Sequence, residues 1–342
     1  MGTFSYHPTT TLPAAGRGRV VVFAPSPSLT ITIEERSNDG DIHLHAGGQG
    51  VWQARMVRAL GADVTLCATF AGETGRVLRH LIEDEGFELV SRDREGTGAA
   101  YIHDRRHGRR ETIVETSGDP LTRHDLDELY GLTLREGMDS DIVLLSGPAG
   151  DEVLPADVYR RLAADLRTCR CRVMADLSGA RLDAALAGHV DIVKVSHEEL
   201  IADGRIDSDQ PDVIIAQMRR IRDAGADTVI VTRAELPLLL LEDDQVHQVA
   251  APIMEVVDKS GAGDSFTAAA AATLAGGGTV REAVTLGAAA GALNVTRHGL
   301  GTGDPAAIRR MSEFVRMAPI EVGMPSDIRM TPDQLTEFLT RE

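Results

Sequence analysis

The stretch Val257-Asp258-Lys259-Ser260-Gly261-Ala262-Gly263-Asp264-Ser265-Phe266, followed by an alanine-rich run to Ala275, decides how this chain is read. Two glycines around an alanine let the backbone turn tightly and aim successive N–H groups at one point. A helix beginning there adds the positive end of its dipole. Such a turn can hold an anion or stabilise charge on a group in transfer. Asp264 stands at its mouth, where a carboxylate can take a proton from an attacking hydroxyl. A glycine-containing helix start with an acid in its first turn is the plainer meaning of the same residues.

The turn sits in a chain of 342 residues, long enough for one large domain or two smaller ones. With 35 basic against 52 acidic side chains the net charge is −17. Such a surface repels nucleic acid and anionic lipid, so a phosphorylated ligand needs a locally positive pocket. Lys194 and Lys259 are the only lysines, and both fall beside segments suited to handling phosphate. Cys67, Cys169 and Cys171 lack metal-ligand spacing, and an odd count does not suit a disulfide framework; a reduced, cytoplasmic setting is expected. Residues 1–18 are rich in Thr, Pro and Gly and read as a disordered leader rather than a signal peptide. No apolar run approaches a membrane span.

Upstream of the turn the chain cycles between strand and helix. Arg19 to Ala24 is a β-branched run fit for a buried strand, and Ala62 to Ala68, Ile142 to Ser146, Arg172 to Asp176, Ile192 to Val195 and Thr228 to Thr232 are of the same kind. Helical patterns at Val51 to Leu60, Gly75 to Glu85, Leu154 to Arg167 and Pro211 to Ala224 lie between them. The alternation predicts an α/β fold with a mostly parallel sheet covered on both faces, and ligands at the carboxyl ends of its strands. Ser146-Gly147-Pro148, Lys194 to Glu199 and the Gly261 turn should therefore meet in one crevice. Leu29 to Glu34 with Asp41 to Leu44, and Ala99 to Asp104 with Arg110 to Glu115, alternate instead; they predict two hairpins in a small sheet outside the core. From Met317 the pattern weakens among Pro319, Pro325 and Pro332, and 317–342 reads as a docked tail with one last short helix opening at Thr331.

A second glycine cluster, Ala46-Gly47-Gly48-Gln49-Gly50-Val51-Trp52-Gln53-Ala54-Arg55, stands between a hairpin and a helix. Taken with the late turn, and with Ala62 to Gly75, Glu111-Thr112 to Gly118, Ser146-Gly147-Pro148, Lys194 to Leu200 and Ala288 to Gly299 in this order, it makes the chain resemble the PfkB (ribokinase-like) sugar kinases. Within them it looks closest to the phosphosugar branch of 1-phosphofructokinases and tagatose-6-phosphate kinases. The resemblance covers roughly Arg19 to Arg316.

It implies a ribokinase-like three-layer α/β/α domain over 19–316, with a β lid from 29–45 and 99–116 that closes over the sugar and can pair with a second subunit. It implies ATP and Mg²⁺, with Asp264 as general base and the N–H groups of Gly261, Ala262 and Gly263 as an anion hole. Glu199 falls where the family orients Mg²⁺ through bound water, although a first-turn acid on a helix is the plainer role. Lys194 and Lys259 offer point charges to ATP phosphates, or snorkel at the surface. Ser196, Thr232, Ala234 and Asn294 fall at nucleotide positions. Ser28, Gly47, Gly48, Gln49, Gly50 and Trp52 fall at substrate positions.

The departures gather on the substrate side. Ser28 stands where the family has a sugar-binding Asp, Gln49 replaces a Lys and Trp52 an Asn. Trp52 brings a flat apolar ring that either stacks on substrate or packs as core. Arg105, Arg106, Arg109 and Arg110 are out of register with the family's phosphate-holding Arg and read as a solvated turn. Two alternatives stay open: a same-fold kinase for a nucleoside or other small alcohol, and a non-catalytic nucleotide-binding homologue. A dinucleotide oxidoreductase is remote, because no Gly-x-Gly-x-x-Gly follows the opening strand.

Overall fold

The computed structural model describes residues 18–36, 39–107, 110–150, 152–296 and 301–320. Residues 1–17 of the expected leader, Arg109, Gly299 and the helix expected at Thr331 lie outside them, while Gly18 is buried against Ala275. A central sheet is built from β1 (Arg19–Ala24), β4 (Asp63–Ala71), β5 (Glu88–Arg94), β8 (Ile142–Ser146), β9 (Val173–Asp176), β10 (Val190–Ser196), β11 (Ala226–Arg233), β12 (Leu236–Glu242), β13 (Gln245–Ala250) and β14 (Arg316–Pro319). Its order is β14-β13-β12-β11-β10-β9-β8-β1-β4-β5. From β5 to β11 every pairing is parallel, and β12 to β14 close one edge in antiparallel fashion.

Successive residues of β1 alternate between two cores, which is why its pattern is a continuous apolar run. Val20, Val22 and Ala24 join one core with α1 (Gln49–Ala59), α2 (Gly72–Asp84), α8 (Ala262–Ala275), α9 (Val280–Asn294) and α10 (Pro305–Ser312). Val21 and Phe23 join the other with α3 (Arg123–Met138), α4 (Asp157–Thr168), α5 (Gly179–Gly188), α6 (His197–Ala202) and α7 (Pro211–Gly225). Helices on both faces of the sheet give the expected three layers.

The two expected hairpins are present. β2 (Ser28–Arg36) with β3 (Asp39–Gly47), and β6 (Ala99–Asp104) with β7 (Glu111–Thr116), join through a parallel β2–β6 pairing into a four-stranded sheet ordered β3-β2-β6-β7. The boundary drawn at Arg316 moves outward: Arg316 to Pro319 pair with Ala250 to His247, so 317–319 belong to the main sheet and not to a tail.

Candidate active site

Strand register builds the floor of the site. Ser146 at the end of β8, Asp176 at the end of β9 and Lys194 in β10 are direct neighbours across three parallel strands, so their side chains emerge on one face in a row. Asp176 and Lys194 are buried and ion-paired at 3.1 Å. Thr267 of α8 donates to Asp176 Oδ2 at 2.7 Å. Gln53 of α1 spans the middle: its Oε1 accepts from Ser146 Oγ, while Nε2 donates to Asp176 Oδ2 at 3.0 Å and to Asp264 Oδ1 at 3.2 Å.

Gly261 caps α8 with φ of +75°, a left-handed turn that an L side chain adopts only under strain. Gly263 follows under Lys194; a Cβ there would lie 2.8 Å from Nζ. The helix N-terminus and the Lys194 ammonium thus converge on one spot.

The charges of this cluster determine its proton chemistry. Burial, and then the neighbouring Asp176, push Asp264 up to about 7. Asp176 is also raised, by burial above all, with Lys194 opposing. Burial alone would lower Lys194, but Asp176, Glu199 and Asp264 outweigh it and hold the ammonium charged. Three carboxylates around one cation therefore leave a carboxylate that exchanges a proton near neutrality, as a general base requires.

Two cavities meet here. One, about 370 Å³, runs from Lys194 and Gly263 past Thr232, Ala234 and Lys259 to an apolar end at Ile253, Met254 and Val295. The other, about 340 Å³, is lined by Gln49, Gly147, Asp176, Ser178, Arg181 and Asp264, among others. Lys194, Glu199 and Gly263 line both, whereas Asp264 faces only the second.

Residues 22–307 match the family described as pfkB family carbohydrate kinase. The chain belongs to that family. Over 332 residues it is 28% identical to the ATP-dependent 6-phosphofructokinase isozyme 2 of Mycobacterium tuberculosis, covering 92% of this chain and 95% of that protein. It is 25% identical to the 1-phosphofructokinase of Bacillus subtilis over 260 residues, 75% of this chain and 84% of that one. A shorter stretch, 54% of the chain, is 36% identical to the bifunctional protein HldE of Hyphomonas neptunium and spans 37% of that protein. Among solved structures, phosphofructokinase-2 of Escherichia coli in complex with potassium superposes with a TM-score of 0.75 at 24% identity, covering 87% of this chain and 99% of the other. Ribokinase of Arabidopsis thaliana with ribose and ATP gives 0.68 at 20%, covering 87% and 100%. These likenesses carry the ribokinase-like fold.

Against this PfkB frame, the nucleotide-side residues Lys194, Ser196, Glu199, Thr232, Ala234 and Lys259 all line the first cavity. Lys194 is buried, which removes the snorkelling alternative for it. Asn294 does not line that cavity; it accepts from Ser265 Oγ at 3.0 Å and donates to the Ser260 carbonyl at 2.7 Å, tethering the glycine turn.

Of the substrate-side set, Gln49 lines the second cavity. Its side chain is engaged, accepting from the Gly147 N–H at 2.7 Å and donating to the Asp176 carbonyl at 3.3 Å. Gly47, Gly48 and Gly50 serve close packing: a Cβ on Gly50 would meet Ala24 Cβ at 2.5 Å. Ser28 is buried in the lid, paired with Gly47 and Ala99. Trp52 is half-buried and lines neither of these two cavities, and its carbonyl closes against Gly301. The solvated-turn reading fails for two arginines: Arg105 ion-pairs with Asp258, and Arg110 donates to Ser260 Oγ at 3.2 Å. Arg106 pairs with Asp104 beside it.

Sequence reasoning missed Asp176, Gln53, Thr267 and Arg181. Gln53 had a signal, since it follows Gln49 by four residues and so shares its helix face. Asp176 was visible only as the last residue of an apolar strand, where ligands collect.

Among the described residues no group of three or more His, Cys, Asp or Glu could hold a metal ion. Glu199 Oε2 is taken by the N–H and hydroxyl of Ser196, both at 2.7 Å, in a capping box that opens α6. This donor set fits a magnesium ion that keeps its water and is carried mainly by nucleotide phosphates, with Glu199 as an outer partner.

Proposed function

We propose that the chain transfers the γ-phosphoryl group of ATP to a hydroxyl of a sugar phosphate, the type of acceptor named for its phosphofructokinase relatives. The observation that carries this is the shared wall. A donor cavity with an apolar end and an acceptor cavity with a carboxylate open onto the same Lys194–Gly263 spot.

In this reading the base and ribose of ATP lie among Ile253, Met254 and Val295, with Thr232 and Ala234 beside them, and the phosphates reach Lys259 and Lys194. Asp264, held by Gln53, takes the proton of the acceptor hydroxyl. The N–H groups at Gly261–Gly263, the helix dipole and Lys194 stabilise charge on the transferred group, and the rate comes from positioning and electrostatics. Magnesium, when bound with ATP, supplies charge neutralisation on the phosphate oxygens. Arg181 brings a guanidinium into the acceptor cavity, where it donates to the Gly150 carbonyl at 3.0 Å, and is suited to an anionic acceptor.

ADP release measured across fructose 1-phosphate, fructose 6-phosphate, tagatose 1-phosphate, free hexoses and nucleosides tests this. Turnover confined to sugar phosphates agrees with it; turnover confined to nucleosides, or none with any, contradicts it.

The lid supports a homodimer. One face of its sheet aligns Ile33 with Ile42, Ile31 with Leu44 and Ile102, and Ile102 with Val114. Ile42, Leu44 and Val114 are 62%, 44% and 45% exposed, an apolar stripe that a second copy would cover. Sedimentation of wild type against Ile42→Lys checks it: a dimer turned monomer agrees, and a monomeric wild type does not. No helix among the described residues is long and apolar enough to cross a membrane.

A further inference from the structure

The loop leading into the glycine turn is held from two sides. On the nucleotide side, the Val295 carbonyl accepts from the N–H groups of Val257 (2.7 Å) and Asp258 (3.2 Å), and Asn294 donates to the Ser260 carbonyl. On the other side come two lid arginines from 153 and 150 residues away. Arg105 pairs with Asp258, their side chains only 13% and 14% exposed, and Arg110 reaches Ser260 Oγ. Asp258 also accepts from the Ser260 N–H at 2.9 Å, which closes the loop one residue before Gly261.

The loop has little of its own to hold it. Besides the Ser260–Asp258 contacts, its backbone bond from the Ala262 N–H to the Lys259 carbonyl is 3.5 Å long. The direction in which the N–H groups of Gly261–Gly263 point is thus set by the outside tethers. One tether belongs to α9, whose Ala288, Gly291 and Ala292 wall the nucleotide cavity. The other belongs to the lid, whose β3 runs directly into the Gln49 turn of the acceptor cavity.

We propose that Arg105 and Arg110 are positioning residues for phosphoryl transfer, fixing the Asp258–Ser260 loop from the lid and with it the aim of the anion-binding turn. The proposal rests on the reading of that turn as an anion hole. The lid then does more than cover the acceptor: its closed position and the alignment of the cradle are one conformational event, reached from both cavities through a single loop. Burial, and then the charges of Arg110 and Arg105, push the lid histidine His103 down to about 4, so it stays neutral near them, bonded to Thr32 Oγ1 at 3.2 Å.

The test uses full-length enzyme with ATP and Mg²⁺, as wild type, Arg105→Ala, Arg105→Lys, Arg110→Ala, Asp258→Asn and the Arg105→Ala/Asp258→Asn double variant. Amide exchange is followed at 257–261 against β1 and β8. Exchange at 257–261 should accelerate at least about tenfold in the two Ala variants and Asp258→Asn while β1 and β8 stay unchanged. Arg105→Lys should recover part of the protection, and the double variant should be no worse than its parents. The initial rate with fructose 6-phosphate should fall about tenfold or more in kcat with KM for ATP little changed. Exchange at 257–261 within about twofold of wild type, or acceleration spread evenly into β1 and β8, overturns the proposal. Asp264→Asn separates the two levels: normal turnover in that variant removes the base reading of the site, whereas a dead Asp264→Asn with unaltered exchange in the arginine variants removes the tether alone.

Discussion

Replacing Asp176 with Asn should move the acid limb of the pH–rate profile downward. Gln53 Nε2 bridges Asp176 and Asp264 at 3.0 and 3.2 Å. That bridge places the two carboxylates within about 6 Å, where one full charge is worth about 3 kcal/mol at an effective dielectric near 20, or ~2 pH units. Burial raises Asp176 as well, but Lys194 in direct contact favours its charged form, while Asp264 is pushed up to about 7. A base must be ionised, so wild-type kcat/KM should fall below pH 7. In Asp176→Asn the repulsion is gone and Lys194 acts on Asp264 unopposed; both changes lower its pKa. The limb should shift down by ~1–2 units while the plateau rate drops for want of a correctly held Lys194. The assay is coupled ADP release between pH 4.5 and 9 with ATP far below KM, since kcat/KM reports the free enzyme. A limb that stays in place or moves upward refutes the electrostatic coupling.

Folding stability should carry the same signature. Because the folded-state pKa of Asp264 is raised, the stability it lends is full below about pH 4 and is lost as pH climbs through about 7. Asp264→Asn should therefore gain Tm over wild type progressively across that window and hold the gain above it, as calorimetry would record; a constant difference from pH 4 to 8 contradicts the assignment. Lys194→Met strands the buried Asp176 carboxylate and should destabilise the fold by ~3–5 kcal/mol in urea unfolding at neutral pH; a loss under about 1 kcal/mol would show that Asp176 is already neutral. Asn294→Ala removes two hydrogen bonds to the turn and should lower kcat more than it raises KM for ATP; a pure KM effect would assign Asn294 to the nucleotide.

Much of the architecture was legible because parallel strands announce themselves as apolar runs and amphipathic helices separate them. The β12–β13 hairpin was not. Its turn uses Asp243 and Asp244 at φ of +46° and +64°, a conformation usually advertised by Asn-Gly or Asp-Gly. Ala234 at +50° likewise hides the preceding turn behind a residue that rarely adopts it. In the site, Asp264 and the glycine turn were readable because the motif is continuous in sequence. Asp176, Gln53 and Ser146 come from three separate elements and meet only through strand register and helix face. The substrate side was less legible for a related reason. A motif position fixes where a backbone goes, but Gln49 spends its amide on Gly147 and Asp176, and Trp52 lies off the cavity by a few tens of degrees of helix rotation. The lid arginines read as solvated in the sequence because nothing local shows the Asp258 and Ser260 that Arg105 and Arg110 meet.

The central claim is that the donor and acceptor cavities exchange a phosphoryl group at the Gly261–Gly263 turn with Asp264 as base. Side-by-side ADP release by wild type and Asp264→Asn, with ATP affinity measured on both by calorimetry, addresses it most directly. The account predicts ATP binding within a few-fold of wild type and turnover lower by about two to four orders of magnitude. Turnover near the wild-type rate in Asp264→Asn would contradict it.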